Sequence, residues 1–208
     1  MNGSSDAKVA ILQRIRGALA VAPPGRVDVP RDYDRAPLPG PGDTARFAST
    51  VDEYRAQVLR IDAASIATTI ATLVPLGGHV VVPADLPAQW CDGTDTVVDD
   101  PKAPLPITAL DGVDAVVTGC ALGIAATGTI VLDAGPTQGR RALTLVPDHH
   151  ICVVFAGQIV DTVPQAFAAL DPIRPLTFIS GPSATSDIEL ERVEGVHGPR
   201  TLDVLIVE

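Results

Sequence analysis

Three stretches of this chain hold residue types that could do chemistry. The first is Thr127-Gly128-Thr129, followed by an apolar run and then the loop from Gly135 to Arg140-Arg141. A Thr-Gly-Thr turn leaves backbone N–H groups unscreened and adds two hydroxyl donors, so it can hold a carboxylate or a phosphate. The same glycine equally serves a tight turn that needs positive φ. Arginine is the natural bidentate partner of a carboxylate or phosphate. Arg140 and Arg141 either supply that contact or meet surface carboxylates. The second stretch is Asp148-His149-His150. Consecutive strand residues face opposite ways, which is poor geometry for a shared metal. A hydrogen-bonding or turn role is expected for at least one imidazole, and no metal site is expected.

The third stretch runs from Gly181-Pro182-Ser183 through Thr185, Ser186, Asp187 and Glu189 to His197-Gly198-Pro199. Small, polar and turn-forming residues crowd here between two apolar runs. Ser186 and Glu189 fit a helix capping box, and Gly181 to Ser183 would turn a strand into that helix. A strand end feeding a helix start favours a bound anion. His197 either handles a proton or plugs a tight turn by bonding to backbone.

These stretches need elements to position them. The 208 residues suffice for one domain with a sizeable core. Aromatics are 3% of the chain and apolar residues 46%, so the core must be Ala, Val, Leu and Ile. That composition suits a mostly parallel α/β sheet flanked by helices. Residues 7–20 carry Ile11, Leu12, Ile15 and Leu19 at helical spacing. A Pro- and Gly-rich strap follows, so residues 1–47 read as an N-terminal helix and strap and 48–208 as the main domain. Val51, Tyr54, Val58 and Leu59 suggest a helix, and residues 63–74 another that stops before Gly77-Gly78. Strands are expected at 80–83, 96–98, 115–118, 130–132, 151–155, 177–180 and 202–207, with 158–160 as a hairpin partner of 151–155. Residues 164–170 read as a helix.

The net charge of −10 argues against nucleic acid or an anionic membrane as partner, but a small anion needs only one or two local cations. Cys91, Cys120 and Cys152 form no CxxC pair, which argues against an iron–sulfur cluster or structural zinc in this chain. A cytoplasmic location is the expectation from such cysteine usage. No apolar run reaches the ~20 residues that span a bilayer.

Three ordered motifs together resemble the LUD domain, and within it the lactate-utilization protein C group. They are residues 124–132 with Thr127-Gly128-Thr129, residues 139–150 from Gly139-Arg140-Arg141 to His149-His150, and Gly181-Pro182-Ser183 through Asp187 to His197-Gly198-Pro199. The resemblance covers residues 48–208. It implies an α/β fold related to the sugar-phosphate isomerase/deaminase and CoA-transferase superfamily. It also implies a part in oxidising L-lactate to pyruvate beside partner subunits that carry iron–sulfur clusters. A chain without cluster ligands would then be an accessory or substrate-handling subunit. Its anion site would draw on Thr127, Gly128, Thr129, Arg140, Arg141, Ser183, Thr185 and Asp187, with His197 as the proton-handling or orienting residue. Such proteins often carry glutamate before this Thr-Gly-Thr, where the present chain has Ala126, which moves weight from catalysis to binding. Two other classes stay open: a stand-alone enzyme on a sugar phosphate or acyl-CoA, and a module that senses a small carboxylate.

Overall fold

The computed structural model describes residues 3–21, 28–32, 42–185, 193–194 and 197–208. The chain divides into two compact units, Met1–Tyr33 and Asp34–Glu208. The first contains helix α1, Gly3–Val21. The second runs in the order α2 (Thr44–Glu53), β1 (Gln57–Ile61), α3 (Ile66–Leu73), β2 (His79–Pro83), β3 (Asp95–Asp99), α4 (Ile107–Asp111) and β4 (Ala115–Thr118). It continues with β5 (Leu122–Ile124), β6 (Thr129–Leu132), β7 (His149–Phe155), β8 (Ile159–Val160), α5 (Val163–Ala169), β9 (Thr177–Ile179), β10 (Ala184–Thr185), β11 (Val193–Glu194) and β12 (Thr201–Val207).

Six strands make one sheet in the order β1-β12-β7-β4-β2-β3, and every neighbouring pair is parallel. The sequence requires this burial on both faces. Along β7, Ile151 and Val153 pack with Ile66 and Ile70 of α3, while Cys152 and Val154 pack with Phe47 and Val51 of α2. The period of two sends alternate residues into two different apolar layers, so the strand reads as a continuous apolar run. A second sheet, β8-β5-β6-β9, stacks its Ile130 and Leu132 into the α2 layer. The expected α/β architecture with a mostly parallel, helix-flanked sheet is the one observed.

Four local expectations change. The helix suggested by Val51, Tyr54, Val58 and Leu59 stops at Glu53, because Arg55 adopts left-handed φ of 65°, and Val58 and Leu59 belong to edge strand β1. Residues 158–160 do not fold back on β7. One 3₁₀ turn, Ala156–Gln158, carries the chain to the second sheet, where β8 lies parallel to β5. Strand β5 itself escaped notice because Gly123 sits at its centre; a Cβ there would stand 2.9 Å from the Phe47 ring. Finally, Gly181-Pro182-Ser183 leads into strand β10, paired antiparallel with β11, not directly into a helix. The capping box at residues 186–189 lies outside the described residues. Among the described residues, no helix is long and apolar enough to cross a membrane.

Candidate anion site

The end of β9 and the start of β12 enclose a cavity of about 210 Å³. Its walls are Ser180 to Ser183 on one side and His197 to Pro199 on another, with Arg141 and Thr144 from a single 3₁₀ turn. His150 and Leu202, which stand opposite each other in register on β7 and β12, also line it. The cavity therefore lies at the amino ends of these two strands, whereas open parallel sheets more often bind ligands at the carboxyl ends.

Two backbone contacts assemble the walls. Ser183 N–H donates to the Pro199 carbonyl at 2.8 Å, and His197 N–H donates to Ser183 Oγ at 2.9 Å. They close the loop whose ends the sequence places 14 residues apart, so Ser183 and His197 become neighbours. Gly181 has φ of 79°, and a Cβ on it would meet the Tyr54 carbonyl oxygen at 2.6 Å, so only glycine fits that corner.

The two arginines have separate roles. Arg140 Nε and Nη2 donate to the two carboxylate oxygens of Asp99 at 2.9 Å each, and Nη2 also reaches the Leu105 carbonyl. The guanidinium holds the Asp99 carboxyl below the usual carboxylate range, while Asp99 pushes Arg140 up. Arg140 borders an adjoining hollow of about 300 Å³ that shares Arg141, Thr144 and Thr177 with the first. Arg141 faces both spaces. Its Nη1 donates to the carbonyl and hydroxyl of Thr144 at 2.8 and 3.0 Å. Partial burial pushes its pKa down, and it has no carboxylate partner among the described residues. Among the described residues, no Asp or Glu lines the 210 Å³ cavity, in a chain of net charge −10.

Thr127, Gly128 and Thr129 stand behind the wall. Gly128 takes φ of 55° and closes the turn against α2, where a Cβ would lie 2.7 Å from the Thr50 carbonyl carbon. Thr129 Oγ1 bonds Thr127 Oγ1 at 2.7 Å and Ser180 Oγ at 2.8 Å. The pair thus orients Ser180, which does line the cavity. Thr185 lies on β10 opposite Val193, and Asp187 lies outside the described residues. The structure therefore gathers Arg141, Ser183 and His197, links Thr127 and Thr129 through Ser180, and keeps Arg140 on Asp99.

Ser180, Thr144 and His150 were missed as site residues. His150 is 1% exposed, and its Nε2 lies 2.8 Å from Thr118 Oγ1. His149, on the opposite face of β7, places Nε2 2.6 Å from Asp203 Oδ2. The alternation of two neighbouring histidines was the available signal: one of them had to point inward. Together, a guanidinium, two serine hydroxyls and two imidazoles can neutralise a small carboxylate and exchange a proton with it.

Residues 107–207 match the LUD domain. Over 212 aligned residues the chain is 44% identical to lactate utilization protein C of Deinococcus radiodurans, covering 98% of this chain and 97% of that protein. The chain belongs to the LUD-domain family, in the lactate utilization protein C group. A crystal structure of a DUF162 family protein from Deinococcus radiodurans shares the fold with a TM-score of 0.67 and 42% identity, over 79% of this chain and 95% of that one. Lactate utilization protein C of Bacillus licheniformis is 34% identical over 100 residues, 44% of this chain and 41% of that protein. The LUD match takes in β4 to β12, so it contains every wall of the cavity.

Proposed function

We propose that this chain is an accessory, substrate-handling subunit of an L-lactate oxidation system, and that the 210 Å³ cavity holds lactate or pyruvate. The observation that carries this reading is a cavity whose described lining holds the Arg141 guanidinium and no Asp or Glu, in a strongly acidic protein. Among those described residues the local charge runs against the global charge, and such a reversal favours a small anion. The volume falls below the roughly 300–1,000 Å³ of drug-sized sites, which suits a ligand of a few heavy atoms. Arg141 neutralises the carboxylate, Ser180 and Ser183 donate to it, and His197 or His150 orients the neighbouring hydroxyl or keto oxygen. The relatives' names point to lactate.

In this reading the electron-transfer chemistry sits on partner subunits with iron–sulfur clusters, in the cytoplasm. The residues that line the site all fall within 48–208. Deleting the gene should abolish growth on L-lactate, and wild-type chain but not Arg141→Gln should restore it. Normal growth of the deletion strain on lactate would refute the proposal.

A further inference from the structure

The hollow of about 300 Å³ beside the anion cavity differs from it in what its walls offer a ligand. The two spaces share Arg141, Thr144 and Thr177, so a group held by the Arg141 guanidinium stands at the opening between them. Farther in, the hollow is bordered by Leu132, Ala134 and Pro175. Leu132 and Thr177 oppose each other in the β6–β9 register, which sets this wall at the β9 edge of the second sheet.

The polar side chains Arg140, Gln138 and Thr144 on its wall are already committed to the protein. Arg140 Nε and Nη2 are held by Asp99 and the Leu105 carbonyl. Gln138 Oε1 accepts from the Asp133 N–H at 2.7 Å, and its Nε2 donates to Asp133 Oδ1 at 2.8 Å. Thr144 Oγ1 accepts from Arg141 at 3.0 Å. Polar groups already paired within the protein gain little from a polar ligand, so beyond Arg141 and Thr177 the hollow offers mainly carbon. The turn that carries Ala134 adds to this. Asp133 Oδ1 also accepts from the Gly135 N–H at 3.0 Å, and Asp133 Oδ2 pairs with Arg174 at 3.0 Å. The pinned turn holds Ala134 at φ of 54°, where glycine would be the unstrained choice. Alanine there keeps a methyl group at the wall.

We propose that the site takes 2-hydroxy and 2-oxo acids whose side chain is apolar and longer than the methyl group of lactate. The carboxylate and the oxygen beside it stay in the 210 Å³ cavity, and the side chain lies in the hollow against Leu132, Ala134 and Pro175. This rests on the carboxylate role proposed for the cavity and adds to it the class of side chain. A second carboxylate is disfavoured. Arg140 is bound to Asp99, so among the described residues an acidic side chain would lose water there without gaining a cation.

The test titrates the full chain calorimetrically with L-lactate, L-2-hydroxybutyrate, L-2-hydroxy-4-methylpentanoate and L-malate. Affinity should rise by about two- to fourfold for each carbon added to the lactate methyl group, and malate should bind at least about tenfold more weakly than lactate. Ala134→Leu fills the hollow. It should bind lactate as the wild type does, which also shows that the site is folded, and lose the gain from longer side chains. If that substitution disturbs the fold, the wild-type series decides the question. Lactate binding with affinities that stay level or fall along the series would overturn the inference and leave the lactate site standing. So would a gain from longer side chains that survives in Ala134→Leu, or malate bound as tightly as lactate. Binding of none of these acids would overturn both the inference and the carboxylate role of the cavity.

Discussion

Replacing Asp99 by Asn separates the two arginines by experiment. Asp99 is 3% exposed and accepts from Arg140 Nε, Arg140 Nη2 and the Leu105 N–H, each at 2.9 Å. Asn has nearly the same shape but no charge, and its NH₂ meets N–H donors where an oxygen stood. Hydrogen bonds to charged groups contribute about 1.5–3 kcal/mol each, and one oxygen survives, so a loss of about 2–3 kcal/mol is expected at pH 7. For a protein of this size that is a fall in Tm of about 4–12 °C. The pH dependence has a definite sign. Arg140 lowers the folded pKa of Asp99 below its ordinary 3.8. Its contribution is therefore complete above that value and disappears as pH falls through the depressed folded value. Scanning calorimetry of both proteins from pH 7 to pH 2 should show the Tm gap closing only below about pH 4. Equal Tm values at pH 7, or a gap that persists at the acid end, would refute the assignment of Arg140 to the fold.

Gly128→Ala must carry a side chain at φ of 55° and place Cβ 2.7 Å from the Thr50 carbonyl carbon. Left-handed strain and overpacking together should cost about 2–4 kcal/mol, read by urea unfolding. His149→Leu leaves the Asp203 carboxylate buried at 3% exposure, and its Oδ1 already lacks a hydrogen-bond partner among the described residues. An uncompensated buried charge predicts a loss of about 3–5 kcal/mol, whereas His149→Leu/Asp203→Leu should recover much of it.

The parallel sheet was legible because short apolar runs rich in β-branched residues, such as 80–82 and 151–154, fit strands buried on both faces. The second sheet was less so. Its β5 is interrupted by Gly123, and β8 has two residues, so neither shows a period. Edge strand β1 passed for helix because Val51, Tyr54 and Val58 happen to fall at helical spacing, and nothing local announces the left-handed Arg55. In the site, Ser183, His197 and Arg141 were identifiable by type, but their convergence depends on Ser183 bonding Pro199 and His197. The separate fates of Arg140 and Arg141 depend on Asp99, which lies 41 residues away in sequence from Arg140. Ser180 and Thr144 carry no motif of their own and become site residues only by position.

The proposed function requires the cavity to bind a small carboxylate through Arg141. Isothermal titration calorimetry of the purified chain with L-lactate and with pyruvate tests it most directly, beside Arg141→Gln and Asp99→Asn. Saturable binding by the wild type is expected, with affinity weakened by about 10- to 100-fold in Arg141→Gln and unchanged in Asp99→Asn below its Tm. Binding of neither acid by the wild type, or equal affinity with and without the Arg141 charge, would contradict it.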